Sequence, residues 1–271
     1  FNIINFNLYD IIIMDRQLFK RPFKKTDDVI FPCPACGNHS LKLDETKFHS
    51  EDTAQSKKIQ ESDYWEPEWL TSVFTTVFAC NNSNCGETVI CSGTGYVDWE
   101  PEENEHGEFE QEYYCFHTPK IFIPAIHFFK IPEKCPDSVK NSLLEAFSLT
   151  LYSPSSAANK VRAAVENLLT EFGIPRITRK PGKNIRLPLD ARIAKAKHHK
   201  AILGELENIL YALKWLGNAG SHANSEISVD DVFDSYEFMN HILNEIYQPK
   251  QKLEKLAKEI RKRKGPVKSK S

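Results

Sequence analysis

The chain has 271 residues, of which 41% are hydrophobic and 27% are charged, a balance that is typical of folded globular proteins and excludes a largely disordered chain. No segment reaches the ~18–20 continuous apolar residues of a membrane span, and seven cysteines without a secretion signal predict a cytoplasmic protein whose thiols bind metal. The net charge is −2, but the charges are unevenly distributed along the chain. Residues 98–112 contain eight acidic residues and no Lys or Arg, residues 176–200 contain nine Lys or Arg and one acid, and residues 250–271 contain ten Lys or Arg and two acids.

The chain divides into four predicted segments. Residues 1–13 precede the first methionine, Met14, and we expect them to be an extension upstream of the natural start. Residues 14–131 are rich in β-branched and aromatic runs that Gly, Asn and Pro interrupt, which predicts a β-rich domain. Residues 132–248 show helical periodicity, and residues 249–271 predict a basic helix and tail. The predicted fold class is α+β, with the β-rich domain followed by an all-α bundle.

Two cysteine knuckles within the β-rich part predict a zinc ribbon with four cysteine ligands. Each knuckle ends in glycine, and together they supply four thiols: Cys33, Cys36, Cys80 and Cys85. Four thiolates suit a closed tetrahedral zinc site, and a glycine after the second cysteine lets backbone amides approach the sulfurs. A redox Cys-x-x-Cys motif would need a strand–helix context that is absent here. The remaining candidates are interpreted as buried thiols or surface histidines rather than ligands: Cys91, Cys115, Cys135, His39 and His49.

Four helices are predicted in the second half. Apolar stripes run through residues 139–151 and 161–172, and a basic loop follows at residues 176–190. A third long helix carries leucines from 203 to 213 and is predicted to end at Gly217, in a left-handed cap. The fourth is predicted to begin at Ser228, with two aspartates in its first turn.

Two segments of this half carry a resemblance to a known family. The first is SPSSAANKVRAAVENLLTEFGI, with Arg162 and Glu166 one turn apart, and the second is LKWLGNAGSHANSEISVDD, with Gly217, Asn218 and His222 in a predicted interhelical loop. On these segments, the part of the chain from about residue 132 to residue 247 resembles the DUF4145 family, a bacterial group assigned to the HEPN superfamily of helical bundles.

The resemblance implies a dimeric, metal-independent ribonuclease, in which the 2′-hydroxyl of the RNA attacks the adjacent phosphate. A histidine in the loop would move a proton to or from the reacting oxygens, and a cation would stabilise charge on the phosphate. HEPN ribonucleases carry an Arg with four to six residues between it and this histidine, whereas the nearest basic residue here is Lys214, with seven residues between. Arg162 is the second candidate for the cation. The implied catalytic set is His222, Asn218, Lys214, Arg162 and Glu166.

The same residues also have structural interpretations. Arg162 and Glu166, four positions apart on a helix, could form an ion pair. Asn218 could adopt a left-handed conformation beside Gly217, and His222 could cap the turn.

Two functions are therefore predicted. The basic segments favour binding to nucleic acid. The resemblance implies that the protein is a homodimer that engages RNA rather than DNA, as a ribonuclease effector of a phage-defence or toxin system. The alternative is a non-catalytic protein-interaction or dimerisation module stabilised by structural zinc, with a partner protein encoded in the same operon. Neither interpretation involves a membrane.

Overall fold

The computed structural model describes residues 14–220, 226–248 and 258–264. Its first part is an antiparallel sheet of five strands in chain order: β1 (Ile30–Pro32), β2 (His39–Asp52), β3 (Thr71–Cys80), β4 (Thr88–Glu103) and β5 (Phe109–Ile123). A helix, α1 (Arg16–Lys20), precedes the sheet, and α2 (Ala54–Ile59) and a 3₁₀ turn (Pro67–Trp69) connect β2 to β3. This sheet confirms the predicted β-rich character of the front part.

The alternation of side chains along β3 explains which face of the sheet is covered. Every second residue is buried: Phe74, Thr76, Phe78 and Cys80. The ring of Phe78 meets Phe23 and Phe31 edge-on, with centroid distances of 6.2 and 5.2 Å. Each buried aromatic side chain contributes about 1.5–3 kcal/mol, so this face is held mainly by phenylalanines.

The second part of the chain is mostly helical. Its helices are α3 (Asp137–Leu149), α4 (Pro154–Glu171), α5 (Leu189–His199), α6 (Ala201–Glu205), α7 (Glu207–Ala219) and α8 (Val229–Tyr247). The predicted start of the fourth long helix is confirmed, because Ser228 and Asp231 form a capping box at the first turn of α8. Residues 258–263 are also helical. No helix among the described residues is long and apolar enough to cross a membrane.

A β-hairpin corrects the prediction that this half is all-α. Strands β6 (Ile177–Lys180) and β7 (Lys183–Arg186) pair antiparallel within the segment that was predicted to be a loop. Pro181 and Gly182 form the turn between them, and Gly182 has a φ of +71°, a conformation that glycine adopts without strain. The charged residues in these short strands hid the strand pattern.

The third predicted helix also differs from its prediction. It divides at Leu206 into α6 and α7, and α7 continues through Gly217 to Ala219. Gly217 is therefore a helical residue rather than a left-handed cap. A Cβ atom at Gly217 would lie 2.4 Å from Cβ of Arg162, so the glycine is needed for the close approach of α7 and α4.

The two parts share one hydrophobic core. The ring of Phe128, in the connection between sheet and helices, lies 4.8 Å from that of Phe19 in α1 and 5.6 Å from that of Phe233 in α8. At the rim of this contact, Arg16 donates to Asp234 at 2.7 Å and to Glu237 at 2.8 Å. The first helix of the front part is thus fixed to the last long helix.

Candidate metal centre and arginine-lined cavity

Four cysteine sulfurs converge at one end of the sheet. Cys33 and Cys36 lie in the turn between β1 and β2, Cys80 ends β3, and Cys85 lies between β3 and β4. All four sulfurs lie within 4.8 Å of one another, with Cys33 and Cys85 3.7 Å apart and Cys36 and Cys80 3.8 Å apart. These distances exceed the ~2.05 Å of a disulfide and match a tetrahedral site, in which sulfurs about 2.3 Å from one ion are about 3.8 Å apart. The cluster can hold a metal ion, as predicted.

The surroundings of two of the four thiols favour negatively charged sulfur. The backbone N–H of Asn38 donates towards Cys36 and lowers the pKa of that thiol to about 6. The Ser40 hydroxyl, 3.1 Å from the sulfur of Cys80, lowers the pKa of Cys80. Burial raises the pKa of Cys33 to about 12, so a cation is needed to hold all four sulfurs as thiolates.

The knuckle turns depend on their glycines. Gly37 and Gly86 have φ angles of +74° and +65°, in the left-handed region. The N–H of Gly37 donates to the carbonyl of Cys33 at 2.8 Å, which closes the first turn. The predicted role of the glycine after each cysteine pair therefore has a geometric basis.

The other cysteines and histidines considered as ligands in the sequence lie apart from this cluster. Cys91 and Cys135 are buried, as predicted, but Cys115 is exposed, because β5 extends beyond the hydrophobic core at that point. His39 is exposed at the start of β2, and His49 lies on the same strand. Across the residues that the structure describes, the four knuckle cysteines are the one group of three or more ligand-type side chains brought close enough for a metal.

A second candidate site is a cavity of about 550 Å³ between α4 and the connection from β7 to α5. Its polar lining comes from Asn159, Arg162 and Glu166 on α4 and from Arg186 at the end of β7. An apolar side is formed by Leu187, Pro188 and Leu189. This volume lies in the range of small-ligand pockets.

Two arginines of the cavity share one carboxylate. Nη2 of Arg162 lies 3.1 Å from Oε1 of Glu166, and Nη2 of Arg186 lies 3.6 Å from Oε2 of the same residue. Nε of Arg162 is buried and has no hydrogen-bond partner among the described residues. The site therefore keeps a net positive charge and an unused donor.

Two further arginines stabilise the end of α4. Arg176 donates to the side chains of Thr170, at 2.9 Å, and Asn167, at 2.5 Å. Arg192, only 2% exposed, donates to the Thr170 hydroxyl at 2.8 Å and to the carbonyl of Ile174 at 3.0 Å. Burial lowers the pKa of Arg192. Arg192 therefore connects α5 to α4, whereas Arg176 is exposed at the surface.

Lys214 is withdrawn from solvent. It is 6% exposed, its Nζ lies 2.5 Å from Oδ1 of Asp190, and it sits 3.5 Å from the ring centroid of Trp215. Asp190 directly follows Leu189, which lines the cavity. The charge of Lys214 is thus compensated beside the cavity.

The other predicted site residues fall near the same helices or outside the described part. Asn218 is a half-buried residue of α7, one position after Gly217, which contacts Arg162. His222 lies outside the described residues. The structure therefore brings together Arg162, Glu166 and the end of α7.

The sequence prediction did not single out Arg186 or Asp190. Both lie in the basic segment, and Asp190 is its one acidic residue. That isolated acid was the signal available in the sequence.

Two family matches cover most of the chain. Residues 144–263 match a domain of unknown function, DUF4145, which agrees with the resemblance found in the sequence. Residues 21–122, which contain all four knuckle cysteines, match a second domain of unknown function, DUF8608. No curated protein and no solved structure matches the chain significantly.

Proposed function

We propose that the protein binds RNA through the arginine-rich face formed by the β6–β7 hairpin and the cavity beside α4. The observation that carries the proposal is the pairing of Arg162 and Arg186 on a single carboxylate, Glu166, at the mouth of a cavity. A phosphate of RNA can replace a carboxylate oxygen of Glu166 as the partner of one arginine, because a guanidinium group donates two parallel hydrogen bonds to phosphate and to carboxylate alike.

The hairpin extends the positive surface. Arg179 and Lys183 are exposed on it, and neither forms an ion pair with another described residue. Arg186 has a side chain that is 82% exposed. Cations without protein partners release counterions when they meet phosphates, which favours binding that depends strongly on salt.

The sharper form of the proposal is a metal-independent endoribonuclease. Arg162 and Arg186 would hold the scissile phosphate, since Lys214 is already neutralised by Asp190. The 2′-hydroxyl would attack the phosphorus, the 5′-oxygen would leave, and His222 would carry the proton between them. A homodimeric cytoplasmic effector of a defence or toxin system fits this activity. The alternative is a non-catalytic interaction module.

Binding can be measured by the fluorescence anisotropy of a labelled single-stranded RNA. We expect affinity to fall about tenfold or more between roughly 50 and 200 mM salt. Arg179→Gln combined with Lys183→Gln should weaken binding and flatten the salt dependence, whereas Lys57→Ala, a surface change on the sheet side, should not. No binding to wild type at the lower salt concentration would remove the proposal.

Cleavage is a separate experiment, on a mixed RNA panel that includes tRNA, with and without EDTA. If wild type cuts in EDTA and His222→Ala does not, His222 is catalytic. If neither protein cuts although RNA is bound, the non-catalytic module is favoured. Cutting by both proteins would exclude His222 from the mechanism.

We also propose that the metal held by Cys33, Cys36, Cys80 and Cys85 is a structural zinc ion. The spacing of the sulfurs supports this choice, and four thiolates leave no open position for a catalytic water. Protein purified without chelator should contain one equivalent of zinc per chain. Less than half an equivalent, or a larger amount of iron, would contradict the assignment.

A further inference from the structure

The distal half of the β4–β5 hairpin exposes aromatic side chains. Trp99 and Tyr113 lie directly opposite each other across the two strands and are 42% and 41% exposed. The hydroxyl of Tyr113 donates to Oε1 of Glu68 at 3.3 Å, which locates the 3₁₀ turn beside this pair. Trp69, at the end of that turn, is 52% exposed. We call Glu66, Glu68, Trp69, Trp99 and Tyr113 the aromatic–acidic face.

No cation of the described residues compensates this face. Neither Glu66 nor Glu68 forms an ion pair with a described Lys or Arg, and no described cation lies over the rings of Trp69, Trp99 or Tyr113. The strand ends beyond them add acidic residues and no basic ones. Exposed tryptophans and tyrosines among uncompensated carboxylates are unusual on a solvated surface, where charges of both signs normally mix.

The opposite face of the same hairpin also combines a tyrosine with a glutamate, and there a lysine contacts both. Nζ of Lys24 lies 4.2 Å from the ring centroid of Tyr114 and 2.7 Å from Oε2 of Glu100. Tyr114 neighbours Tyr113 in the chain, so its side chain points to the other face of the strand. One face thus holds a lysine between a tyrosine and a glutamate, whereas no Lys or Arg of the described residues occupies the other face.

We propose that the aromatic–acidic face binds a lysine- and arginine-rich segment of a partner polypeptide. Charge complementarity selects this occupant, because ammonium and guanidinium groups are attracted both to aromatic rings and to carboxylates. RNA would be repelled by the same carboxylates, and a purely apolar partner would leave Glu66 and Glu68 desolvated without partners. This binding is independent of the RNA binding proposed above, since it uses neither the hairpin β6–β7 nor the cavity.

The test uses the full-length protein and a fluorescein-labelled peptide of alternating Arg and Gly. Wild type should bind it, and Trp99→Ala combined with Tyr113→Ala should weaken binding at least tenfold. Glu66→Gln combined with Glu68→Gln should weaken it at least threefold. Tyr152→Ala removes a tyrosine that is 68% exposed in the helical half and should leave affinity within twofold. Circular dichroism confirms that each variant is folded.

Three results would overturn the proposal. The first is a peptide affinity of the Trp99/Tyr113 double variant equal to that of wild type. The second is equal binding of a Glu–Gly peptide, which would show that charge does not select the ligand. The third is self-association of the wild-type protein that is lost in the double variant and that an excess of the Arg–Gly peptide does not reverse. The face would then bind a second copy of the chain rather than a basic peptide. RNA affinity of the double variant should remain that of wild type, which separates this test from that of the proposed function.

Discussion

Single residues set the closest contacts of the helical half. Gly217 lets α7 approach the Arg162 side chain, which belongs to the proposed RNA-binding cavity. Glycine inside a helix normally costs stability relative to alanine, so its presence here reflects a packing requirement rather than helix propensity. Any side chain at position 217 would collide with the side chain of Arg162.

We expect Gly217→Ala to destabilise the protein by about 1–3 kcal/mol, because the added methyl overpacks the α4–α7 contact. Urea unfolding measures the change. Gly204→Ala is the comparison, since a Cβ there would lie 3.3 Å from the carbonyl oxygen of Lys197, and this milder contact should cost less stability than the one at Gly217. A Gly217→Ala protein as stable as wild type would contradict the close packing.

The imidazole of His117 should make stability depend on pH. It is 3% exposed, and its ring centroid lies 4.6 Å from that of Phe48 and 5.1 Å from that of Phe74. Burial lowers the pKa of His117 below the ~6.5 of an unfolded histidine, although a contact with the carbonyl of Phe23 opposes the shift. Between the folded pKa of His117 and about pH 6.5, the unfolded chain therefore binds more protons than the folded protein does. The contribution of neutral His117 to the free energy of unfolding is fully present above about pH 6.5, and it is lost as the pH falls towards the folded pKa.

Urea unfolding at a pH above and a pH below about 6.5 tests this dependence, with metal content checked at both. His117→Phe should flatten the profile relative to wild type. Because burial also lowers the pKa of His127, some slope should remain in the variant. An identical slope in both proteins would exclude His117 as a contributor.

At the scale of elements, the four-cysteine cluster joins the turn after β1 to the turn after β3. Metal removal, or Cys80→Ser, should lower the melting temperature of the protein, because ligand binding contributes directly to folding free energy. Cys115→Ser, which changes an exposed cysteine of β5, is the matched control. Melting followed by circular dichroism should separate the two variants, and equal melting temperatures would remove the structural role of the metal.

The elements differ in how far the sequence predicted them. The knuckles were recognisable because ligand geometry requires closely spaced cysteines followed by glycine. The hairpin β6–β7 was not, because its strands alternate charged residues with few apolar ones and bury almost nothing. The break at Leu206 and the continuation of α7 past Gly217 depend on contacts with other helices, which no local pattern encodes.

The whole molecule is held by one core that runs from α1 through Phe128 to α8. Its existence was not predictable, because Arg16 and Asp234 are 218 positions apart and nothing in either local segment specifies the other. The candidate site was predicted only in part, for the same reason. Arg162 and Glu166 lie on one helix and could be recognised together, whereas Arg186 is brought to them only by the fold.

Phe128→Ala should destabilise both parts together, by about 3–5 kcal/mol. Unfolding followed by tryptophan fluorescence and by far-ultraviolet circular dichroism should give coincident transitions in wild type. Phe109→Ala, at a position that is 73% exposed, should change stability little. Two separated transitions in wild type would show that the sheet and the helices unfold independently.

The attachment of α1 to α8 also has a consequence for the order of events during synthesis. The sheet is a meander of neighbouring strands, so its contacts can form soon after its last strand leaves the ribosome. Arg16 must wait for Asp234 and Glu237, which lie 218 and 221 positions later. Until then the aromatic side chain of Phe19 lacks its neighbours in the helical half. Among the described elements, α1 is thus made before the sheet but is one of the last to reach its final position, and its apolar side chains stay exposed to chaperones until then.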